Sequence, residues 1–411
     1  MAKVFSNIIT AIDIGTTKIC VLIARKLSHD KVEILGIGRA PSFGLSKGVV
    51  VDIAKTVLSI KQAVDEAQLM AECEIDSAYI GISGAHIQSF NSNGAVPIKR
   101  SFVTPEDIQA VLDAAKAVAI EKGHKILHVL PQYFMVDGHD KIENPIGLHG
   151  VRLEVVVHVI TGSIASIQNL VKCCETVGVK VKDIILEQLA SADGVLSTDE
   201  RQLGVAVLDI GGGTSDFAVY QAGTIRFTKV IPVAGNHFTN DLAVGLRANI
   251  NDAQRIKHEY GYVGFHSNNL VHDMIEIMTA QGSDIKQVSQ EQITFILQAR
   301  AQELCLMINH EIQAQNLRHF MITGLVITGG GSLLHGIDEL AKNMLSMPVR
   351  IGIPTIGQVY PESLQNPIYA TGYGLLIYAL KSTKNMNLDA LQGPLLQKIL
   401  IRMKTWVSDF F

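Results

Sequence analysis

The chain has 411 residues, more than one hydrophobic core usually organises, so we expect two or more domains. Hydrophobic residues make up 47% of it and charged residues 18%, a composition typical of globular proteins. A formal net charge of -4 provides no basic surface field, and we therefore expect no nucleic-acid partner. The cysteines include no CxxC pair and indicate buried thiols in a reducing compartment. The opening MAKVFSNIITAID predicts neither a signal peptide nor a membrane-spanning start.

The first predicted elements form an α/β unit. Apolar runs predict strands at 8–12, 19–25 and 32–40. A helix is then expected after Asp52, whose carboxylate can cap it. Apolar residues recur every three or four positions and predict one buried helix face: Ile53, Val57, Ile60, Val64, Ala67 and Leu69. A further strand follows in AYIGISGA, which ends in small residues.

An inserted block is expected next, between Gly84 and Gly162. It contains TPEDIQAVLDAAKAVAI, a predicted helix with Thr104 as its cap and Pro105 at its first position. Predicted strands flank this helix at 126–136 and 153–161. The block therefore has enough elements to fold as a unit of its own.

The second half of the chain repeats the order of the first. Strands are predicted at 205–208, 217–220 and 225–233, followed by a helix from about Phe238. GLVITGGGS then stands where AYIGISGA stood, so the repeat covers a whole β-β-β-α-β unit. Two related α/β domains can face each other across a cleft and hold one ligand between them.

The turns of this repeat, DIGTTK from Asp13 and DIGGGTSD from Asp209, have residues suited to a phosphorylated ligand. Their glycines let backbone N–H groups surround phosphate oxygens, and the threonines and Lys18 add further donors. Asp13 and Asp209 would hold Mg²⁺ through its waters. The turn TGGGS would accept a purine and its ribose, so ATP and Mg²⁺ fit the three turns together. The predicted nucleotide-binding residues are Asp13, Gly15, Thr16, Thr17, Lys18, Asp209, Gly211, Gly212, Gly213, Thr214, Gly235, Lys257, Gly329, Gly330, Gly331 and Ser332.

A plainer interpretation exists for each turn taken alone. A glycine turn after a strand is more often only a tight hairpin. Aspartates also commonly accept hydrogen bonds from turn N–H groups. The matched positions of Asp13 and Asp209 in the repeat favour the ligand-binding interpretation.

These motifs resemble the actin-like ATPase superfamily, which includes actin, sugar kinases and DnaK-type chaperones. LEQLASADGVL and YATGYGLL are similar to the two helices that connect the domains in that superfamily. The resemblance places Glu187 near the water that attacks ATP, although a solvated carboxylate at a helix start is the alternative. It also places Lys257, in DAQRIKHEYG, near the base or ribose.

The position of the inserted block narrows the resemblance to the FtsA family of bacterial division proteins. Phrases such as LPQYF, NPIGLHGVRLE, TKVIPVAGN and VRIGIP are similar to that family along nearly the whole chain. The resemblance implies an α/β, actin-like (duplicated ribonuclease H-like) two-domain fold with two inserted subdomains and a C-terminal amphipathic helix. The first domain is expected at 1–83, 163–197 and 360–380, with its insert at 84–162. The second domain is expected at 198–245 and 305–359, with its smaller subdomain at 246–304. A flexible linker at 381–394 and the terminal helix at 395–411 would follow.

The C-terminal stretch LLQKILIRMKTWVSDFF predicts a helix that lies on a membrane surface. Arg402 and Lys404 flank its apolar face, where their charged ends can meet anionic lipid. Docking on the protein's own body is the alternative for such a helix. Trp406 lies on the edge of the apolar face, whose other members are Leu396, Ile399, Leu400, Met403, Val407, Phe410 and Phe411.

The resemblance implies an ATP-binding protein that self-associates and anchors FtsZ to the cytoplasmic face of the cell membrane at the division site, helping to recruit later division proteins. The C-terminal tail of FtsZ would dock on the smaller subdomain of the second domain, with Arg300 as a contact. ATP hydrolysis would be slow or weak at most, since Glu187 is the one water-orienting group that the sequence offers. The alternatives are a sugar or acetate kinase of the same fold and a chaperone-type ATPase switch.

Overall fold

Two five-stranded sheets form the centre of the structure, one in each half of the chain. The computed structural model describes residues 7–28, 31–264, 274–281, 284–354 and 364–392. The predicted terminal helix at 395–411, with all its proposed lipid-binding residues, lies outside these ranges. Within them, no helix is long and apolar enough to span a membrane.

The chain begins with an antiparallel meander that leads into a helix and a parallel strand. Its elements are β1 (Ile8–Ile14), β2 (Lys18–Ser28), β3 (Lys31–Pro41), the short hairpin β4 (Leu45–Ser46) and β5 (Val49–Val50), α1 (Ile53–Ala71) and β6 (Ser77–Ile82). The predicted cap of α1 is confirmed, because the Asp52 carboxylate accepts a hydrogen bond from the Lys55 N–H at 3.1 Å.

The buried face of α1 differs in part from the predicted one. Ile53 and Leu69 are exposed, and Thr56, Ser59 and Ala63 are buried instead. Leu69 follows the buried Ala67 by two positions, which places it about 200° around the helix axis. Apolar character alone therefore overestimated the face, whereas its small and polar members let α1 approach the sheet closely.

An inserted unit follows at residues 84–163 and has its own sheet and core. It comprises β7 (Gln88–Pro97), α2 (Pro105–Lys116), β8 (His124–Val136), β9 (His139–Ile142) and β10 (Arg152–Ser163), with strand order β7-β10-β8-β9. Thr104 caps α2 as predicted, in a capping box with Asp107, and Pro105 begins the helix. Because α2 packs across one face of the sheet, the unit buries a separate hydrophobic cluster.

The chain then returns to the first sheet through α3 (Ile164–Thr176), β11 (Lys180–Leu186) and α4 (Glu187–Val195). The completed sheet has the order β11-β6-β1-β2-β3. Helices α1 and α3 cover one of its faces. We refer to this sheet and its helices as the first lobe.

The second half begins with α5 (Thr198–Leu203) and builds a second lobe on the same plan. Its strands have the order β14-β13-β12-β17-β18, which repeats the arrangement of the first sheet and confirms the predicted duplication. The elements are β12 (Val205–Ile210), β13 (Ser215–Gln221), β14 (Thr224–Ile231), α6 (Gly235–Gly245), α7 (Ile250–Tyr260), β15 (Met274–Met278), β16 (Ile285–Ser289), α8 (Gln290–Ala314), β17 (Leu325–Thr328), α9 (Ile337–Leu345) and β18 (Val349–Ile351). The chain then returns to the first lobe, where α10 (Ala370–Gln392) packs on β1, β2 and β6.

Helices α4 and α10 cross between the lobes at two glycines. A Cβ on Gly374 would lie 1.6 Å from the Ala190 carbonyl oxygen, and one on Gly194 would lie 2.5 Å from the Ala370 carbonyl oxygen. No larger residue fits at either position without separating the helices. The two predicted connecting helices therefore pack backbone against backbone.

Helix α10 extends further than predicted. Its backbone stays helical to Gln392, although the sequence analysis assigned 381–394 to a flexible linker. The physical reason is that KSTKNMNLDALQ contains no glycine or proline before the Gly393-Pro394 pair. The flexibility of 381–394 stays a prediction.

Candidate functional site

The two acidic glycine turns have the same local geometry. The Gly15 N–H donates to the Lys18 carbonyl at 3.0 Å, and the Gly211 N–H donates to the Thr214 carbonyl at 3.0 Å. Each turn joins the first two antiparallel strands of its sheet. The sequence repeat is thus also a repeat of hydrogen bonding.

These turns face each other directly across the cleft. A Cβ on Gly212 would lie 2.4 Å from Thr17 Cγ2, and one on Gly213 would lie 2.4 Å from Thr16 Oγ1. Glycine is therefore required at both positions by the close approach of the opposite turn. The hydroxyl of Thr16 also accepts a hydrogen bond from the Gly48 N–H at 3.1 Å, which fixes the first turn from behind.

A cavity of about 440 Å³ lies between the turns and extends to α6 and α7. All the predicted nucleotide-binding residues except Ser332 line it. Further lining residues, which the sequence analysis did not select, include Asp216, Asn236, Gln254, His258, Leu334 and Thr371. A cavity of this size, with backbone N–H groups at one end, can enclose most of a nucleotide.

Acidic side chains crowd the end of the cavity between the turns. Asp13 and Asp209 are 7% and 6% exposed, at the ends of β1 and β12. Burial raises the pKa of Asp13, although Lys18 Nζ lies 3.4 Å from its Oδ2 and opposes the rise. Burial, with repulsion from Asp13, raises the pKa of Asp209 to about 6, against a 2.8 Å hydrogen bond from the Thr371 hydroxyl.

Glu187 lies at the start of α4, half-buried in this cavity and not fully solvated. Burial raises its pKa well above the usual range, and repulsion from Asp13, Asp216 and Asp209 adds to the rise. The cavity therefore holds more acidic groups than Lys18 alone can balance, and a bound cation would favour their ionised forms.

Asp216 is a member of this cluster that sequence reasoning missed. It lies on β13 directly opposite Asp209, and its Oδ1 accepts hydrogen bonds of 2.6 Å from both Ser83 Oγ and Gln188 Nε2. Burial raises its pKa to about 8. Its partner position in the first repeat is Cys20, opposite Asp13, so the repeat itself gave no signal for it.

The carboxylates fit a hydrated divalent cation. Carboxylate oxygens are the ligands that Mg²⁺ prefers, and this ion usually keeps several of its waters. In the described ranges, no three His, Cys, Asp or Glu side chains are grouped closely enough to hold a metal directly. The role of Asp13 and Asp209 in holding Mg²⁺ through its waters stays a prediction.

Gly235 and Lys257 form the wall on the side of the second lobe. The Gly235 N–H donates to the Gly211 carbonyl at 3.0 Å, which ties the start of α6 to the second turn. Lys257 Nζ donates to the Gly235 carbonyl at 3.0 Å and to the Thr239 hydroxyl at 2.8 Å. Burial lowers the pKa of Lys257 to about 8, so its ammonium is poorly compensated and suited to an anionic ligand.

The third glycine turn follows β17 and also lines the cavity from the second lobe. A Cβ on Gly329, whose φ is +80°, would lie 2.1 Å from Asp209 Oδ1, and one on Gly331 would lie 2.3 Å from Ile210 Cγ2. Ser332 differs from the glycines of this turn, because its side chain does not line the cavity. Its hydroxyl is buried and donates to the Gly329 carbonyl at 2.7 Å, where it stabilises the turn itself.

Comparison with known proteins identifies the family. The family model "Cell division protein FtsA" matches residues 206–374, and "SHS2 domain inserted in FTSA" matches 84–161. Cell division protein FtsA of Pseudomonas aeruginosa is 41% identical over 100% of both chains. The chain belongs to the FtsA family. The FtsA proteins of Neisseria meningitidis (39% identical, 98% of both chains covered) and Escherichia coli K12 (38%, 92% of both) agree with this.

Solved structures that resemble this FtsA-family chain share its actin-like fold. The PilM-PilN type IV pilus biogenesis complex matches with a TM-score of 0.66 and 15% identity, covering 90% of this chain and 98% of that chain. MreB5 of Spiroplasma citri bound to ADP matches with a TM-score of 0.58 and 15% identity, covering 93% and 99%. At such identities the likeness shows the fold alone. The family membership supports an actin-like role in cell division rather than the kinase or chaperone alternatives.

Arg300, which the family resemblance places at a partner contact, is occupied within the chain. It lies on α8, and its Nε and one terminal nitrogen donate to the Asp241 carboxylate of α6 at 2.5 and 2.8 Å. A further ion pair joins it to Glu303. A partner carboxylate would have to displace these internal acids, and the predicted contact of Arg300 with FtsZ stays a prediction.

Proposed function

We propose that this FtsA-family chain binds ATP with Mg²⁺ in the cavity between the lobes. The observation that carries the proposal is the pair of congruent glycine turns, which meet at a cluster of buried carboxylates. The N–H groups and hydroxyls of the turns would surround the phosphates. Lys18 would move from Asp13 to a terminal phosphate, and the third turn and Lys257 would enclose the nucleoside.

The same geometry supports slow hydrolysis at most. Bound Mg²⁺ would supply neutralisation of phosphate charge. Glu187 is the group available to orient water. Burial and the neighbouring carboxylates raise its pKa, which opposes formation of the carboxylate that a general base needs, and a cation in the cavity would offset this. Binding would then matter more to the protein than turnover.

The membrane and partner roles of the proposal depend on family membership and on the sequence of 395–411. We infer that this segment anchors the protein to the cytoplasmic face of the cell membrane at the division site, through its apolar face and the flanking Arg402 and Lys404. The chain would self-associate, and many weak anchors in one filament would bind firmly together. It would thereby tether FtsZ and help recruit later division proteins.

Vesicle sedimentation of the full chain and of a chain ending at Pro394 tests the anchor. The full chain should sediment with vesicles containing anionic lipid and carry FtsZ with them, whereas the shortened chain should stay in solution. Calorimetry should show the same Mg-ATP affinity for both chains. Sedimentation of the shortened chain would contradict the anchor, and absence of Mg-ATP binding would contradict the assignment of the cavity.

The Arg300–Asp241 pair offers a sharper test of the FtsZ contact. If Arg300 binds the tail of FtsZ, then Asp241→Asn should strengthen binding of a tail peptide because it releases Arg300, whereas Arg300→Ala should weaken it. If Arg300 only joins α8 to α6, both variants should weaken binding through loss of local structure. Arg255→Ala is a matched control, since Arg255 also pairs with two acids, Asp252 and Glu259.

A further inference from the structure

The point where the chain enters the inserted unit contacts Asp216, at the end of the second turn motif, and reaches the first turn through Gly48. Ser83 is 3% exposed, and its hydroxyl donates to Asp216 Oδ1 at 2.6 Å, across the cleft between the lobes. The next residue, Gly84, has a φ of +124°, and a Cβ on the neighbouring Gly48 would lie 2.9 Å from its Cα. Gly48 donates in turn to Thr16 of the first turn. The root of the inserted unit therefore lies between the two turns.

The inserted unit also contacts the second lobe away from the cavity, through polar side chains. His158 Nε2 lies 2.9 Å from the Thr228 hydroxyl, and Ser89 Oγ donates to the Thr228 carbonyl at 2.9 Å. Gln132 Nε2 donates to the Ile225 carbonyl at 3.0 Å. These contacts are to β14, which pairs with β13, the strand that carries Asp216. These hydrogen bonds hold the inserted unit against the second lobe, next to the strand that Ser83 contacts.

A third contact connects the unit to the helix that carries Glu187. His128, on β8, accepts a hydrogen bond from the Leu186 N–H at 3.2 Å through Nε2. Burial lowers the pKa of His128 to about 4, so the ring is neutral and can accept this bond. Leu186 directly precedes Glu187. The unit therefore contacts elements that carry the acidic groups of the cavity in both lobes.

We propose that the inserted unit responds to the occupancy of the cavity, and that Ser83 is the positioning residue that couples the two. The Ser83–Asp216 hydrogen bond lies at the cavity. Separate bonds from Gln132, Ser89 and His158 join the inserted unit to β14. A cation that attracts the Asp216 carboxylate, such as the Mg²⁺ that would accompany the nucleotide, weakens its bond to Ser83. The root at Gly84 then shifts relative to β14. This proposal rests on the proposed nucleotide site, since nucleotide is the trigger.

Amide hydrogen exchange of the full-length protein tests this coupling. In wild type, Mg-ATP should change the exchange rates of β14 and of the facing strands β7 and β8 by at least threefold. Ser83→Ala should remove most of that change while calorimetry still detects Mg-ATP binding. Ser83→Thr keeps the hydroxyl and should show the same Mg-ATP-induced change in exchange as wild type. Ser92→Ala is the matched control, because Ser92 Oγ donates at 2.8 Å to the Ala115 carbonyl within the inserted unit, away from the cavity.

A comparison without nucleotide separates this proposal from the assignment of the cavity. In the ligand-free protein, Ser83→Ala should by itself speed the exchange of β14 at least threefold, and Ser92→Ala should not. Equal β14 exchange in wild type and Ser83→Ala would overturn the coupling, whether or not ATP binds. Thr228→Val removes the hydroxyl of β14 that contacts His158 and should also reduce the effect of Mg-ATP on exchange. An Mg-ATP effect that stays at wild-type size in Thr228→Val would likewise overturn it.

Discussion

Asp209→Asn should abolish Mg-ATP binding and at the same time stabilise the ligand-free protein. Removing the charge deprives Mg²⁺ of one carboxylate. The same charge is costly in the empty cavity, because Asp209 is buried near Asp13 and its pKa is raised from 3.8 to about 6. At about 1.4 kcal/mol per pKa unit, its ionisation costs the folded state about 3 kcal/mol at pH 8. Asparagine keeps an oxygen that can accept the hydrogen bond from Thr371.

The pH dependence of this effect follows from the direction of the pKa shift. Because the pKa of Asp209 is higher in the folded state, the folded protein binds the proton more tightly and loses stability as pH rises from about 4 through 6. The melting temperature of Asp209→Asn should therefore exceed that of wild type by a few degrees at pH 8, and the difference should vanish near pH 4.

Calorimetry with Mg-ATP and thermal melts at pH 4, 6 and 8 measure both effects. Asp65→Asn makes the same chemical change at an exposed position of α1 and should alter neither quantity. Unchanged Mg-ATP affinity in Asp209→Asn, or a lower melting temperature at pH 8, would refute the assignment of Asp209 as a strained metal-binding carboxylate.

Three further predictions concern other parts of the molecule. Glu187→Gln should lower steady-state phosphate release at least tenfold with little change in Mg-ATP affinity, and rapid release that the variant leaves unaltered would show that the water is oriented by another group. Lys257→Met keeps the aliphatic stem but removes the ammonium, and should weaken ATP binding roughly tenfold by calorimetry; equal affinity would place Lys257 outside the nucleotide contact. Trp406→Glu should strongly reduce sedimentation with anionic vesicles and leave the melting temperature unchanged, because insertion would force desolvation of the new charge; the opposite pattern would mean that the helix packs on the protein body.

The paired turns could be predicted from sequence because their function depends on local features. Glycines directly after a strand predict a tight turn that leaves room for a ligand, and the duplication supplies two such turns. Gly212 and Gly213 needed no knowledge of their neighbours to be selected. The structure added only the reason, which is contact with Thr17 and Thr16 of the other turn.

Other residues of the site could not be assigned in this way, because their roles depend on what lies opposite them. Asp216 belongs to the carboxylate cluster only because β13 pairs with β12 and Ser83 approaches from the other lobe. The direction in which a side chain points was equally hidden for Ser332, whose hydroxyl turns inward. The ion pair of Arg300 could not be predicted either, because Asp241 lies 59 positions away in the sequence.

The glycine-mediated crossing of α4 and α10 has a mechanical consequence. Residues without side chains form a smooth contact, at which one helix can turn against the other without breaking an interdigitated surface. Helix α10 continues unbroken from Gly374 to Gln392, a distance of about 27 Å at 1.5 Å per residue. Leu375, Leu376, Ala379 and Leu380 hold the first part of this length on the first lobe, so a rotation of that lobe would carry the far end of the helix with it. The residues that follow this end are those proposed to hold the membrane.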